Sequence, residues 1–267
     1  MIQHIPLLQI QRDLHDIPRG MERFRAYLKT MTNEEGDDLA LPPLGAMNPM
    51  GREHVSARLD ELLALNAEQI AEDAVAEAST RLSLTEREMK HGMVIMDDVR
   101  GGWTNRYVCE FGSCSLPDRI IRNQRSTWIS TALWVSDTPS PALIRQSVLR
   151  SVFLALYALE RGECHTLRDM LSQEGEAGRF AGVQPHLEEE DIEYTLAVLE
   201  PLLDSTNYAT CFVAMLGDVA AEMLGYPKLG LSERAGFALA IAYTFDKDGS
   251  SHRHRALNAF KNSPPKP

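Results

Sequence analysis

Apolar residues recur at helical spacing along most of this 267-residue chain, and the pattern breaks once, between residues 91 and 136. That single change of period constrains the fold more than any other feature. Before it, Val55, Leu59, Leu62, Ile70, Ala74, Ala78 and Leu82 predict one long helix ending near Arg81 and broken near Asn66. Asn48-Pro49 supplies its start, with Asn as cap and Pro at the first helical position. Inside the break, Gly92 to Met96 is a short apolar run, Tyr107, Cys109 and Phe111 alternate with Arg106, Val108 and Glu110, and Ile129, Leu133 and Val135 alternate with Trp128, Ser130, Ala132 and Trp134. These predict three strands, with Gly101-Gly102 as a hairpin turn and Gly112 to Arg125 as a loop. The expected fold class is α+β and predominantly helical: a multi-helix core with a small antiparallel strand-rich segment around residues 91–136.

After Asp137 the helical spacing returns. Ser140-Pro141 opens a helix that closes at Gly162 and is apolar on nearly every face, which places it at the hub of the core. Four further helices are predicted over Thr166 to Gln173, Glu188 to Leu203, Tyr208 to Leu224 and Ser232 to Phe245. Residues 1–47 read as an N-terminal arm and linker, 48–249 as a single mixed, mostly helical domain, and 250–267 as a basic, Pro-rich, flexible tail.

The apolar fraction of 44% suffices for a full core, and four cysteines are too few for a disulfide scaffold, so all are read as reduced. Residues 1–10 lack a basic segment, and the longest strongly apolar run, Val152 to Leu159, falls short of the roughly 20 residues that span a bilayer. The chain is read as soluble and cytoplasmic, with no membrane partner. A formal charge of −11 repels polyanions and argues against nucleic acid. Against that sign, Arg100, Arg106, Arg119, Arg122 and Arg125 make the middle segment locally positive.

Chemistry-bearing residues concentrate at Asp97 to Arg106. Glycines 101 and 102 let backbone N–H groups approach an anion, Arg100 and Arg106 can grip a phosphate or carboxylate, and Asp97 or Asp98 can act as a base or hold a divalent metal. Thr104 and Asn105 complete the ligand-binding set. No Walker motif and no strand-GxGxxG-helix fingerprint is present. The expectation is a small-molecule enzyme or ligand-binding protein with an anion-binding, metal-assisted pocket near residues 97–106, between the strands and the central helix. The competing expectation is a non-catalytic helical interaction protein in which Trp103, Trp128 and Trp134 cluster and residues 119–125 dock an acidic partner. Either reading accommodates a homo-oligomer.

Three weaker clusters follow. Cys164 and His165 stand where a thiolate and a proton acceptor could meet, although Thr166 with Asp169 reads as a capping box. Arg52, Glu53 and His54 offer an acid-histidine pair on a first helical turn, where a capping or solvated role weighs more. Cys109 with Cys114, His252 with His254, and Asp246 with Asp248 each supply two metal ligands, and none closes a site alone.

Overall fold

The computed structural model describes residues 1–82, 88–99, 104–115, 127–245 and 251–253. The chain forms two compact units, residues 1–109 with 118–159, and residues 110–117 with 160–267. Eleven α-helices are found among the described residues.

In the first unit, the central strand β2 (Met89–Met96) lies between β1 (Ile2–His4) and β3 (Trp128–Trp134), and both neighbours run parallel to it. The sheet is therefore parallel, not antiparallel as the sequence pattern suggested. Parallel neighbours require a crossover, and the residues read as a middle strand supply one: Arg106–Ser115 is a helix, α5. Tyr107, Cys109 and Phe111 recur at period two, but Tyr107 and Phe111 are also four apart, which fits one face of a helix equally well. Every residue of β2 except Lys90 is buried, as expected for a parallel strand covered on both faces.

Strand β1 is only three residues long and leaves part of the β2 edge open. The buried side chain of Gln11, in α1 (Leu8–Asp16), closes it by donating to Met93 O at 3.0 Å and accepting from Ile95 N at 2.9 Å. A side-chain amide here replaces a strand residue and satisfies backbone groups that burial would otherwise leave orphaned. Gly92 lets Leu7 sit directly on the sheet, since a Cβ there would lie 2.6 Å from Leu7 Cδ1. Residues 2–4 thus form an edge strand of the sheet.

Helix α2 (Met21–Met31) and a 3-10 turn at Pro42–Ala46 precede α3 (Glu53–Ala64) and α4 (Ala67–Arg81). The predicted break appears at Asn66, which adopts the left-handed conformation at φ 54°. The predicted start does not: residues 48–52 are not helical, and Asn48 accepts from Met50 N at its side-chain Oδ1, 3.0 Å away. Helix α6 (Pro141–Arg161) has the predicted extent, with Ile144, Val148, Leu149, Val152 and Ala155 fully buried. Its 21 residues, with a mean hydropathy of 1.4 over the most apolar stretch, are long and apolar enough to cross a membrane by length and composition alone. Of that stretch, 39% is buried inside the protein.

In the second unit, α7 (Leu167–Ala181), α8 (Glu189–Leu199) and α9 (Tyr208–Leu216) surround α11 (Ala235–Ala242), whose sequence AGFALAIA is apolar all round. Gly175 permits backbone contact between α7 and α11, because a Cβ there would stand 2.2 Å from Ala240 O. The predicted helix over residues 208–224 divides at Gly217, φ 81°, into α9 and α10 (Asp218–Leu224). Arg179 caps α11 by donating to Ala240 O, Ile241 O and Tyr243 O, and the chain continues as β4 (Tyr243–Phe245), antiparallel to β5 (Ser251–Arg253).

Candidate functional site

Because β2 and β3 are parallel and in register from Lys90↔Trp128 to Met96↔Trp134, their carboxyl ends emerge side by side. Asp97 and Asp98 follow β2, and Ser136 and Asp137 follow β3. Asp97 is 2% exposed, and three groups donate to its carboxylate: His54 Nε2 at 3.0 Å, Asn48 Nδ2 at 3.0 Å and Val99 N at 3.3 Å. Burial alone would raise its pKa, but the bonds from His54, Asn48 and Val99 outweigh burial and hold the carboxyl below its ordinary value. Asp97 is therefore an ionised, buried, acceptor-only group.

Asp98 accepts from Ser136 N at 3.1 Å and Ser136 Oγ at 2.6 Å. Arg106 donates to both oxygens of Asp137, at 2.6 and 3.2 Å, and to Ser136 Oγ at 2.8 Å, while its guanidinium lies 5.2 Å from the Trp134 ring centre. Asp98, Ser136, Asp137 and Arg106 thus tie the ends of β2 and β3 to the start of α5. The guanidinium expected to grip a ligand is engaged by a carboxylate of the protein. Asn105, expected to orient a substrate, caps α5 by accepting from Val108 N at 3.1 Å. Thr104 Oγ1 is buried with no partner among the described residues. Arg100, Gly101 and Gly102, like Trp103, Arg119, Arg122 and Arg125, lie outside the described residues.

The residue that the sequence pattern undervalued is His54. Its hydrogen-bond partner is Asp97, 43 positions away. An ionised carboxylate can only accept, so a neutral His54 carries its proton on Nε2 and presents a bare Nδ1. That Nδ1 is buried and has no partner among the described residues. Against Gly51 stands His15, also buried. Arg23 donates from Nη1 to Gly51 O at 3.0 Å and to His15 Nδ1 at 3.3 Å, and from Nη2 to His15 O at 3.1 Å. Burial first, then the charges of Arg23, Arg12 and His54, lower the His15 pKa to about 4, so the ring is neutral.

A second buried polar line crosses the sheet. Glu68 Oε2 lies 2.7 Å from His4 Nε2, His4 Nδ1 lies 2.9 Å from His91 Nδ1, and His91 Nε2 lies 2.8 Å from Thr131 Oγ1. Each contact is satisfied by a chain of donors running from Thr131 to Glu68 with both rings neutral. Burial, with the charge of His4 second, lowers the His91 pKa to about 3.

Of the remaining clusters, the one at Cys164 and His165 is described in full. Cys164 is buried, its thiol donates to Gln173 Oε1 at 3.0 Å, and burial, with the charges of Asp169 and Glu174 behind it, pushes its pKa up to about 12. Such a thiol is not a nucleophile. Thr166 and Asp169 form the expected capping box on α7. Among the described residues, no group of three or more His, Cys, Asp and Glu side chains is placed to hold a metal ion. Asp246, Asp248 and His254 lie outside the described residues.

No family model matches this chain, and neither a curated protein nor a solved structure matches it.

Proposed function

We propose that this chain is a small-molecule enzyme that moves a proton at the carboxyl end of its parallel sheet, with His54 as the acid-base group and Asp97 as the group that fixes it. The observation that carries this reading is the buried, ionised Asp97 bonded to His54 Nε2, which sets one tautomer and leaves Nδ1 free to take a proton. Its position supports it too, since open parallel sheets bind ligands outside the carboxyl ends of their strands. Asn48 holds the second oxygen of Asp97 and so fixes the carboxylate. Arg106 is tied to Asp137, so this reading does not place anion recognition on it.

The test is turnover of chromogenic carboxylic esters, phosphate esters and lactones by the purified chain. At least one class is expected to be turned over, with kcat falling about 10²-fold or more in both His54→Asn and Asp97→Asn. No turnover of any class by the native chain, or turnover retained in a folded His54→Asn variant, overturns the proposal.

A further inference from the structure

Strand β1 meets β2 with His4 directly opposite His91, and their Nδ1 atoms stand 2.9 Å apart. At that distance the pair shares one hydrogen, because two N–H groups pointed at each other would clash and two bare nitrogens would repel. The outer nitrogens meet groups of different kinds. Glu68, on α4, lies 2.7 Å from His4 Nε2, and its other oxygen accepts from Leu8 N at 2.7 Å. Thr131, on β3, lies 2.8 Å from His91 Nε2. A carboxylate only accepts, whereas a hydroxyl donates or accepts. The ionisable groups along this line are His4 from β1 and Glu68 from α4. Of the other elements packed on β2, the 3-10 turn at Pro42–Ala46 has no ionisable residue. On α1, Arg12 pairs with Asp16 and Asp60, Asp13 accepts from Gln9, and His15 is bonded to Arg23.

We propose that Glu68, His4, His91 and Thr131 form a one-proton switch through the sheet, in which uptake of a single proton reverses the two inner hydrogen bonds and changes the tautomer of His91. With Glu68 ionised and both rings neutral, Thr131 Oγ1–H donates to His91 Nε2, His91 Nδ1–H to His4 Nδ1, and His4 Nε2–H to Glu68. When the line gains a proton, His91 Nδ1 hands its hydrogen to His4 Nδ1, and the proton drawn from solvent ends on His91 Nε2. His4 is then an imidazolium paired with Glu68, and it donates to His91. His91 stays neutral and donates to Thr131, whose O–H turns away from the ring. The charge thus sits at the end nearer solvent, where the Glu68 side chain is 20% exposed, and not on His91, which is 0% exposed. A second proton has no place, since it would set two N–H groups face to face across 2.9 Å; burial and the charge of His4 oppose it as well. Strand β1 therefore stays bonded to β2 in both settings. The switch does not depend on the role of His54.

Long-range ¹H–¹⁵N correlation on the full chain, followed from pH 8.5 to pH 5, reads the tautomer and charge of each ring. His91 is expected to pass from Nδ1–H to Nε2–H with the same midpoint as the protonation of His4. In His4→Asn, whose side-chain amide stands in for Nδ1 but takes up no proton, His91 is expected to keep one tautomer over the whole range. A native His91 that is Nε2–H at pH 8.5, that is still Nδ1–H at pH 5, or that becomes an imidazolium together with His4 overturns the proposal. So does a tautomer change that persists in a folded His4→Asn variant. The result on the native chain decides the matter whether or not the variant folds.

Discussion

Acidification from pH 7.5 to 5 should destabilise the first unit by about 4 kcal/mol, and the source is two histidines that fold neutral. An unfolded imidazole has the ordinary value of 6.5, whereas His15 and His91 in the folded chain sit near 4 and 3. At pH 5 the unfolded chain binds almost one proton at each position and the folded chain binds almost none. The sign follows: a lowered histidine pKa contributes stability above 6.5 that is lost as pH falls toward the folded value. Each group supplies about 1.36 kcal/mol per unit of separation, which at pH 5 comes to about 2 kcal/mol apiece. Asp97 does not enter this window, because its carboxyl is held below its ordinary value and changes stability only in stronger acid. Urea unfolding followed by the emission of Trp128 and Trp134, which belong to the same unit as both histidines, measures the loss directly. His91→Asn should lower stability at pH 7.5 and also halve the pH dependence, to about 2 kcal/mol over the same range. A native transition that moves by less than 1 kcal/mol between pH 7.5 and 5, or an unchanged slope in His91→Asn, refutes the assignment of these protons.

Three other perturbations test separate parts of the structure. Gln11→Leu should cost about 2–4 kcal/mol by urea unfolding, since it keeps the volume but orphans Met93 O and Ile95 N on the open edge of β2. Gly175→Ala should destabilise the second unit by about 1–3 kcal/mol, because the added Cβ would stand 2.2 Å from Ala240 O and α7 must move off α11; amide exchange in both helices reads the effect. Native chain treated with iodoacetamide at pH 8 should remain unmodified at Cys164 and Cys211 by peptide mass spectrometry, both thiols being buried with raised pKa values, and rapid labelling of Cys164 would restore it as a candidate nucleophile.

Much of the helical content was legible in the sequence, because amphipathic spacing and caps are local. The break at Asn66, the extent of α6 and the capping box at Thr166 all follow from residues within a turn of one another. Strand direction is not local. The run Gly92 to Met96 is equally apolar in either arrangement, and what distinguishes them is the crossover, which hid in the ambiguous residues 106–111. The contribution of β1 was equally unreadable, since three residues carry no period, and the edge it leaves open is closed by the side chain of Gln11.

The same contrast governs the site. A run of glycines, carboxylates and arginines between two strands pointed to residues 97–106, where the structure shows Asp97 as a buried carboxylate. Proximity in sequence misassigned its company. Arg106 turned inward to Asp137, while the partners of Asp97 came from Asn48 and His54, residues that local reasoning gave to helix capping and to Glu53. A signal for the correct pairing does exist. A carboxylate at the end of a strand buried on both faces must be paired or hydrogen-bonded to stay charged. Once β2 is recognised as the central parallel strand, Asp97 requires distant donors, and a polar stretch that fails to become helix, residues 48–52, is where the chain can supply one. Recognising the parallel sheet thus leads to Asn48, whose Nδ2 donates to Asp97, whereas His54 reaches the same carboxylate from the first turn of α3.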